Sequence, residues 1–250
     1  MLTRSRFQGV WNIVRFNWHQ YFILFIAALI LLIWGIYSSG FMQLVIYVIL
    51  LLSLVQVLIS LLVSYYVYDR SGLYELKQLG DLNGLKVLNI SAGFDESSEI
   101  IIHRFPLAQL QKADFYNPLH HTEVSIKRAR KAYPASLDTI IVQTSLLPFE
   151  SSSFDKVICI FSVHEIRDQN ERIAFLKELA RVCDPRGEII IMEHLRDFPN
   201  FIAYNIGFMH FYPKSTWTTC FMAAGLEVLE ELKSTKFVST FKLKPNGTPN

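Results

Sequence analysis

The stretch Lys156-Val157-Ile158-Cys159-Ile160-Phe161, followed at once by Ser162-Val163-His164-Glu165, decides the fold of the second half of the chain. Five apolar residues follow one another with no polar interruption, over a length typical of a strand. Such strands are buried on both faces, as in a parallel sheet that helices cover on both sides. The stretch therefore predicts a buried central strand of an α/β domain.

The surrounding sequence alternates short apolar runs with longer amphipathic segments, which indicates a doubly wound α/β sheet. The other predicted parallel strands are Lys86–Ile90, Ala108–Ala113, Thr139–Gln143 and Glu188–Glu193. The predicted helices are Ser71–Leu79, Glu96–His103, His121–Ala132 and Asn170–Cys183. Two final strands, near Glu227–Leu232 and Phe237–Lys242, are joined by a turn too short for a crossover helix, so we expect them to pair antiparallel.

Polar residues stand where each of the five parallel strands ends. Because ligands of such sheets bind outside the carboxyl ends of the strands, these residues predict a site there. They comprise Asn89 to Asp95, Asp114, Gln143 with Thr144, Ser162 to Arg167, and Glu193 to Asp197.

Residues 84–244 resemble a class I S-adenosylmethionine-dependent methyltransferase of the type 11 group, which includes quinone- and sterol-methylating enzymes. Three segments carry the resemblance, in the order and spacing of that family. They are Leu147-Pro148-Phe149 with Ser153-Phe154-Asp155-Lys156-Val157, the helix Phe175 to Val182, and the turn Pro185-Arg186-Gly187. The resemblance implies a Rossmann-like methyltransferase sheet and S-adenosyl-L-methionine as cofactor.

The same resemblance implies where the methionine half of the cofactor binds. The family places an acid and then Gly-x-Gly-x-Gly after the first strand. Here Asn89 replaces the acid, Ser91 the first glycine and Asp95 the third, while Gly93 keeps the second. A glycine lets the backbone approach a ligand closely, and only Gly93 retains that property. The chain therefore either binds the cofactor with altered partners or has a degenerate fold that no longer binds it.

The resemblance assigns the adenosine half to the next strand ends. Asp114 matches the acid that accepts both ribose hydroxyls, and Gln143 stands where the family often has Asp at the adenine amino group. An amide oxygen can accept that hydrogen bond. Thr144 and Ser162 complete the set of predicted cofactor-binding residues.

The residues after strands four and five are the candidates for chemistry. Methyl transfer to a hydroxyl requires alignment of the acceptor and removal of a proton, for which histidine is well suited. His164 is the first candidate for a base or orienting residue, followed by Glu165, Glu193 and His194. Alternatively, these residues form a structural ion-pair network with Arg167, Arg196 and Asp197. No His, Cys or Asp set has metal-ligand spacing along the chain, so we expect no metal.

The 53 residues from Phe16 to Tyr68 contain no Asp, Glu, Lys or Arg. One helix of that length would run roughly 80 Å, well over the ~30 Å of a bilayer core. Ser38-Ser39-Gly40 is the place to turn, which predicts two transmembrane helices, Trp18–Tyr37 and Phe41–Tyr68. The alternative is a buried hairpin within a soluble protein. Leu, Ile and Val lie all round both helices, and this favours the membrane.

The flanking charges predict the orientation. Arg4, Arg6 and Arg15 precede the first span, the turn is uncharged, and Asp69-Arg70 follows the second span. The positive-inside rule then places both termini and the catalytic domain in the cytoplasm of a two-pass integral membrane protein. The predicted divisions are a segment 1–17, a hairpin 18–68 and a methyltransferase-like domain 69–250.

The composition of residues 69–250 argues against a nucleic-acid partner, because 21 Lys and Arg are balanced by 22 Asp and Glu. Three cysteines, Cys159, Cys183 and Cys220, are consistent with reduced thiols in a cytosolic fold. The oligomeric state is not indicated.

The segment Phe198–Phe221 is rich in aromatic residues, with Phe201, Tyr204, Phe208 and Phe211 at helical spacing. It is either a helix packed on the sheet or a lid for an apolar substrate that dips into the membrane interface. The sequence thus favours a membrane methyltransferase with a lipidic or amphiphilic acceptor. A membrane-tethered pseudo-enzyme acting as a scaffold, and a tethered enzyme for a protein or small soluble substrate, stay open.

Overall fold

The computed structural model describes residues 5–120 and 123–246. Two long helices come first, α1 (Gln8–Tyr37) and α2 (Gly40–Tyr65), and α2 ends in a π-helical turn, Tyr66–Arg70. The further helices are α3 (Ser98–Arg104), α4 (Val124–Ala132), α5 (Gln169–Val182), α6 (Phe198–Tyr204) and α7 (Lys214–Ala223). The strands are β1 (Lys86–Ser91), β2 (Gln109–Asp114), β3 (Ile140–Ile141), β4 (Phe154–Ile160), β5 (Cys183–His194), β6 (Leu226–Lys233) and β7 (Val238–Pro245).

The seven strands form one sheet in the order β3-β2-β1-β4-β5-β7-β6. The first five strands are parallel, and β7 runs antiparallel between β5 and β6. The predicted doubly wound sheet with an antiparallel last strand is confirmed. The strand order reverses between β1 and β4, so the carboxyl ends of these two strands flank the crevice where such sheets bind ligands.

The central strand behaves as its uninterrupted apolar sequence predicts. Val157 and Cys159 belong to the core on one face of the sheet, together with Phe175 of α5 and Trp217 of α7. Ile158 belongs to the core on the other face, with Ile101 of α3 and Leu79. Successive strand residues point to opposite faces, and here each face is covered, so both sets are buried.

Three predicted elements differ from the structure. The helix predicted at Ser71–Leu79 is wrong, because this segment forms two short 3-10 turns, Leu73–Glu75 and Lys77–Leu79. Gly72 and Leu76 both adopt left-handed backbone angles, which interrupt any α-helix. The strand predicted at Thr139–Gln143 shrinks to Ile140–Ile141 at the sheet edge. The helix predicted from His121 begins at Val124, and His121 itself lies outside the described residues.

The aromatic segment is also not one continuous helix. Helix α6 ends at Tyr204, and Asn205 has a φ of 49°, after which a 3-10 turn covers Asn205–His210. Tyr204 and Phe208 are therefore not on one helical face, although Phe201 and Phe208 still meet, with ring centroids 5.1 Å apart.

The first two helices are long and apolar enough to cross a membrane, by length and composition. The break between them falls at Ser38 and Ser39, as predicted. Gly35 permits their close approach, since a Cβ there would lie 2.8 Å from the Tyr47 ring. Helix α1 begins ten residues before the predicted span, and its kink at Asn17 coincides with the predicted boundary. The side chain of Asn17 donates to the Ile13 carbonyl at 3.0 Å, as expected where the backbone ladder is interrupted.

Candidate functional site

A cavity of about 250 Å³ lies at the carboxyl ends of β1, β4 and β5. Its wall includes Ser91 at the end of β1, Phe161 and His164 after β4, and His194 at the end of β5. These strands are neighbours or near neighbours in the sheet, so residues far apart in sequence meet at one edge. Part of the predicted polar rim, namely Ser91, His164, Glu165 and His194, therefore lines one cavity.

The N-terminal part of α1 forms the roof of this cavity, through Gly9, Asn12, Ile13, Phe16 and Asn17. The residue before α1, Phe7, provides no side-chain cap. Instead, the carboxylate of Asp69, at the end of the hairpin, accepts from the backbone N–H groups of Gly9 at 2.7 Å and Val10 at 2.9 Å. A carboxylate at a helix N-terminus satisfies free N–H groups and favours the helix dipole. The two ends of the hairpin are therefore joined directly above the site.

Further contacts attach the same helix to the loop before α3 and to α4. The side chain of Asn12 donates to Glu96 at 3.3 Å and accepts from the Tyr133 hydroxyl at 3.2 Å. Arg128 of α4 donates to the Phe16 carbonyl at 2.7 Å. Sequence reasoning assigned residues 1–17 to a separate cytoplasmic segment and missed this role. The signal was present in Asn12, a polar residue among apolar ones on the face that the structure buries.

His164 stands between two carboxylates. Its Nδ1 lies 2.6 Å from Oε2 of Glu193 and its Nε2 lies 3.2 Å from Oε1 of Glu165. Burial lowers the pKa of His164, but the charge of Glu193 and hydrogen bonds with both glutamates outweigh it and raise the pKa to about 10. His164 is therefore an imidazolium at neutral pH, which suits a positively charged orienting group and not a base.

Glu165 connects His164 to the aromatic segment. Its Oε1 also lies 3.5 Å from Nε2 of His210, and its other oxygen lies 3.8 Å from Arg167. Burial raises the pKa of Glu165, but hydrogen bonds from His164 and His210 outweigh burial and hold it well below its usual range. These contacts match the ion-pair alternative for Arg167. Arg196 instead donates to the carbonyls of Phe211 and Met209.

His194 is held in the opposite charge state. Its Nδ1 faces two acceptors, the Phe237 carbonyl at 2.8 Å and Oδ1 of Asn200 at 3.2 Å, so Nδ1 carries the hydrogen. Its Nε2 therefore accepts from the Tyr68 hydroxyl at 2.7 Å. Burial lowers the pKa of His194 to about 4. The ring lies between those of Phe161 and Phe211, and this neutral imidazole is the better candidate for accepting a proton.

The end of β1 and the loop after it contain the residues that the family resemblance assigns to the methionine half of the cofactor. Asn89 is buried, and its Nδ2 donates to the hydroxyls of Ser97 and Ser98 at 2.9 and 2.8 Å. Its Oδ1 has no hydrogen-bond partner among the described residues. The carboxylate of Asp95 accepts from the backbone N–H groups of Ser97 and Ser98 at the start of α3, so it is already occupied. An unpartnered buried acceptor is costly to retain unless a ligand satisfies it.

Gly93 is the one glycine of the degenerate motif and has a φ of +93°. A Cβ there would lie 2.7 Å from the Tyr116 ring, so no larger residue fits. Its N–H donates to Oδ1 of Asp114 at 2.8 Å. The same oxygen accepts from the Tyr116 N–H at 2.9 Å, and the other oxygen pairs with Arg130 of α4. The acid that the resemblance assigns to the ribose is thus already paired with a guanidinium.

The other predicted cofactor residues divide into two groups. Ser91 lines the cavity and donates to the Ala113 carbonyl at 3.3 Å, while Ser162 is buried and donates to the Ile90 carbonyl at 3.0 Å. Gln143 is exposed, and Thr144 donates to Glu171 at 2.6 Å, so neither lines the cavity. Glu193 is fully buried behind His164. The structure therefore brings together Ser91, His164, Glu165 and His194, but not Gln143 and Thr144.

A second cavity, of about 500 Å³, lies between the hairpin and the aromatic segment. Gln20 and Tyr21 of α1 and Ser60 and Ser64 of α2 line one side of it. It shares five wall residues with the first cavity, and these are Ile13, Asn17, Tyr68, Ser125 and Phe211. The two cavities are thus adjacent, separated by few side chains.

Comparison with known proteins agrees with this geometry. Residues 106–191 match the family described as "Methyltransferase domain". A structure of an S-adenosylmethionine-dependent methyltransferase from Aquifex aeolicus aligns over 71% of this chain and 94% of its own, with a TM-score of 0.50 and 16% identity. The part of the chain after the hairpin has the class I methyltransferase fold, and residues 106–191 within it match the methyltransferase family model. A Clostridium acetobutylicum ATCC 824 S-adenosylmethionine-dependent methyltransferase aligns over 73% of this chain and 96% of its own, with a TM-score of 0.50 and 11% identity.

A curated relative is demethylmenaquinone methyltransferase from Lactococcus lactis subsp. lactis (strain IL1403), 25% identical over 137 residues. The match covers 53% of this chain, and the chain spans about half the length of that relative, 51%. S-adenosylmethionine is the cofactor of this class of domain. The unpartnered oxygen of Asn89 fits its methionine half. Gly93 instead packs against the Tyr116 ring, and Asp114 would have to exchange Arg130 for the ribose.

Proposed function

We propose that this protein is an integral-membrane, S-adenosylmethionine-dependent methyltransferase that acts on a lipidic or amphiphilic acceptor with a hydroxyl or amine group. The observation that carries the proposal is the second cavity, which adjoins the cavity of His164 and His194 and has the hairpin helices as one wall. An acceptor anchored in the bilayer by its apolar part has a route there to the methyl donor. A water-soluble acceptor needs no such wall.

The position of α6 supports this proposal. Gln56 of α2 donates to the carbonyls of Ile202 and Ala203 at 3.2 and 3.4 Å. Gln56 lies nine residues before the end of α2, or about 14 Å at ~1.5 Å per residue. Helix α6 therefore packs beside an apolar part of α2. The neighbouring side chains of Phe198, Ile206 and Met209 are exposed, as expected of a face that contacts lipid.

The relative's name adds a chemical class. Its acceptor, a demethylmenaquinone, is by name a quinone, and a quinone with a hydrocarbon tail would suit a cavity open to the bilayer. This supports an acceptor with an aromatic or polar head and an apolar tail. The aromatic wall formed by Phe161 and Phe211 around His194 suits such a head.

Bound S-adenosylmethionine supplies a methyl group on a positively charged sulfur, so the protein has to align the acceptor and manage one proton. In this arrangement the imidazolium of His164, held by Glu193, orients the acceptor atom and stabilises negative charge on it. Tyr68 takes up the acceptor's proton as its own proton passes to Nε2 of neutral His194. Asn89, Gly93 and Asp114 would hold the cofactor, and Asp114 would become free for it if Arg130 moved away.

A second candidate function is a membrane-tethered pseudo-enzyme that uses the fold as a binding module. The Asp114–Arg130 ion pair favours it, because it fills the ribose position with the protein's own side chain. Calorimetry with S-adenosylhomocysteine on the detergent-solubilised full chain discriminates the two. Micromolar binding supports the enzyme, and no binding at millimolar concentrations supports the pseudo-enzyme.

The acceptor is tested with methyl-labelled S-adenosylmethionine and total membrane lipid in proteoliposomes. We expect label in the organic phase, and a loss of at least tenfold for Phe201→Ser combined with Phe208→Ser, with cofactor binding unchanged. Met222→Ser, at an exposed position of α7, is the matched control and should retain full activity. Label confined to water-soluble acceptors would refute the lipidic acceptor while retaining the methyltransferase.

The proposed orientation, with both termini and the domain in the cytoplasm, has its own test. The three native cysteines are buried, so new ones can be labelled selectively. A cysteine introduced by Ser39→Cys, at the hairpin turn, should react with an impermeant reagent added outside intact cells. One introduced by Asn246→Cys should react only after lysis. The reverse pattern would overturn the orientation.

A further inference from the structure

We infer that His164, Glu165 and His210 form a binding site for a divalent transition-metal ion at the junction of the two cavities. The ligand atoms of these three residues all lie within 4.8 Å of one another. Nε2 of His164 and Nε2 of His210 lie 3.2 and 3.5 Å from the same oxygen, Oε1 of Glu165. In a tetrahedral site with bonds of about 2.1 Å, neighbouring ligand atoms are about 3.4 Å apart. Little movement is needed to reach that geometry.

The support behind His164 has the form that metal sites use. Metal-binding histidines commonly donate their other ring N–H to a carboxylate, which fixes the tautomer and the ring orientation. Nδ1 of His164 lies 2.6 Å from Oε2 of Glu193, and the His164 backbone N–H donates to the other oxygen at 3.2 Å. Glu193 is fully buried. Nε2 of His164 is thereby directed at Glu165 and His210.

The local charge favours a cation. Three carboxylates face the cluster, those of Glu123, Glu165 and Glu193, with Glu123 3.1 Å from Nδ1 of His210. Among the described groups that face the cluster, Arg167 is the permanently charged cation. Its Nη2 lies 2.6 to 3.8 Å from the ring nitrogens of His210, from Glu123 and from Glu165. A positively charged nitrogen thus already lies beside the atoms that would bind the metal.

Arg167 is able to leave that position. Its side chain is 43% exposed, and its long stem can turn into solvent. Arg167 and the metal ion would then compete for the same carboxylates. The site would close around the metal with two imidazoles and one carboxylate, a donor set that suits zinc and other first-row ions and leaves a fourth position open. His164 and Glu165 line the first cavity, and His210 lines the second.

This placement deepens the proposed function, on which its role rests, because the metal ion would displace the Nε2 proton of His164 and take over the positive charge that the imidazolium supplies without it. The open position lies where the head group of an acceptor would pass from the second cavity into the first, so an acceptor oxygen or nitrogen can occupy it. The site was not predictable from spacing along the chain, because His210 lies on a different element from His164 and Glu165.

The test is a zinc titration of the full chain in detergent after treatment with a chelator, followed by calorimetry. We expect one equivalent of zinc to bind, and His210→Ala to weaken it by at least a hundredfold. His103→Ala, which removes an exposed histidine of α3, is the matched control and should bind as the unchanged chain does. Equal affinities of the two variants would overturn the site.

Two further variants test the roles of Glu193 and Arg167 in metal binding. Glu193→Gln should weaken zinc by roughly tenfold to a hundredfold, the usual effect of losing a carboxylate behind a ligand histidine. Arg167→Gln should tighten zinc binding, since it removes the competing cation, and weaker binding would contradict the competition. X-ray absorption should count two histidine ligands, falling to one in His210→Ala. Absence of zinc binding with intact methyl transfer would refute this inference and leave the proposed function standing.

Discussion

The hydroxyl of Tyr68 donates to Nε2 of His194 across 2.7 Å, and this contact joins the end of the hairpin to the end of the fifth strand. Tyr68 is the last residue of the charge-free run, and His194 is the last residue of β5. The hairpin therefore contributes a side chain to the site and is more than an anchor. The same hairpin supplies the roof, through the N-terminal part of α1.

Tyr68→Phe removes this hydroxyl while keeping the ring that packs against Phe161. If the Tyr68–His194 pair carries the acceptor's proton, methyl transfer should fall by roughly tenfold to a thousandfold, within the range for general acid–base groups. Cofactor affinity should not change. Tyr66→Phe, two residues earlier and exposed, is the matched control. Equal rates for the two variants, measured with labelled cofactor, would exclude the proton role of Tyr68.

Asp69→Asn tests the closure of the roof. The carboxylate makes two charge-assisted bonds to the start of α1, and hydrogen bonds to charged groups contribute about 1.5–3 kcal/mol each. We expect the amides of Gly9 and Val10 to exchange with deuterium at least tenfold faster in the variant. Asp81→Asn, in an exposed turn, should leave that exchange unchanged. Equal protection in Asp69→Asn would show that Asp69 does not hold the roof.

Substitutions of Asp114 and Arg130 test the cofactor site, because they should change its affinity in different directions. Asp114→Ala should lower the affinity for S-adenosylhomocysteine by at least tenfold, because the ribose hydroxyls lose a charged acceptor. Arg130→Ala should leave that affinity equal or raise it, since it frees Asp114. Both are measured by calorimetry. A loss of affinity in Arg130→Ala would instead identify Arg130 as a cofactor contact, and unchanged binding in Asp114→Ala would exclude Asp114.

The His164–Glu193 pair predicts how stability depends on pH. The folded pKa of His164, about 10, lies above its unfolded value of about 6.5. Stability from this group is therefore fully present below pH 6.5 and is lost as the pH rises towards 10. The folded pKa of His194, about 4, lies below its unfolded value of about 6.5. Its contribution to stability is therefore present above pH 6.5 and is lost as the pH falls towards 4. Thermal unfolding of His164→Gln should thus vary less between pH 6.5 and 10 than that of the unchanged chain.

The variant His164→Gln, combined with Glu193→Gln, also tests whether these two residues stabilise the fold as a pair. His164→Gln leaves the buried Glu193 without its cation, a change that commonly costs about 3–5 kcal/mol at neutral pH. Adding Glu193→Gln removes the buried charge and should restore part of the loss. The free energy of unfolding is measured for both single variants and for the double variant. If the loss in the double variant equals the sum of the losses in the two single variants, the two residues are not coupled.

The sequence by itself determined the class of the fold and the existence of the hairpin. An unbroken apolar strand such as residues 157–161 can be buried only in a sheet covered on both faces, and a charge-free run of 53 residues has few alternatives to two apolar helices. Both signals are local and repeated, so no partner is needed to interpret them. The rim residues followed from the rule that parallel strands share a carboxyl edge, and Ser91, His164, Glu165 and His194 lie there together.

Only the tertiary structure decided which charge each rim residue carries and what else reaches it. His164 and His194 have the same chemistry in sequence, yet two carboxylates raise the pKa of one and burial among aromatic rings lowers that of the other. Tyr68, Arg130 and His210 reach the site from other elements. Such contacts depend on packing between segments distant in sequence, which leaves no periodic pattern. The failed helix at residues 71–79 has the same cause, because Leu76 takes its left-handed angle within a core formed with Ile101 and Ile190.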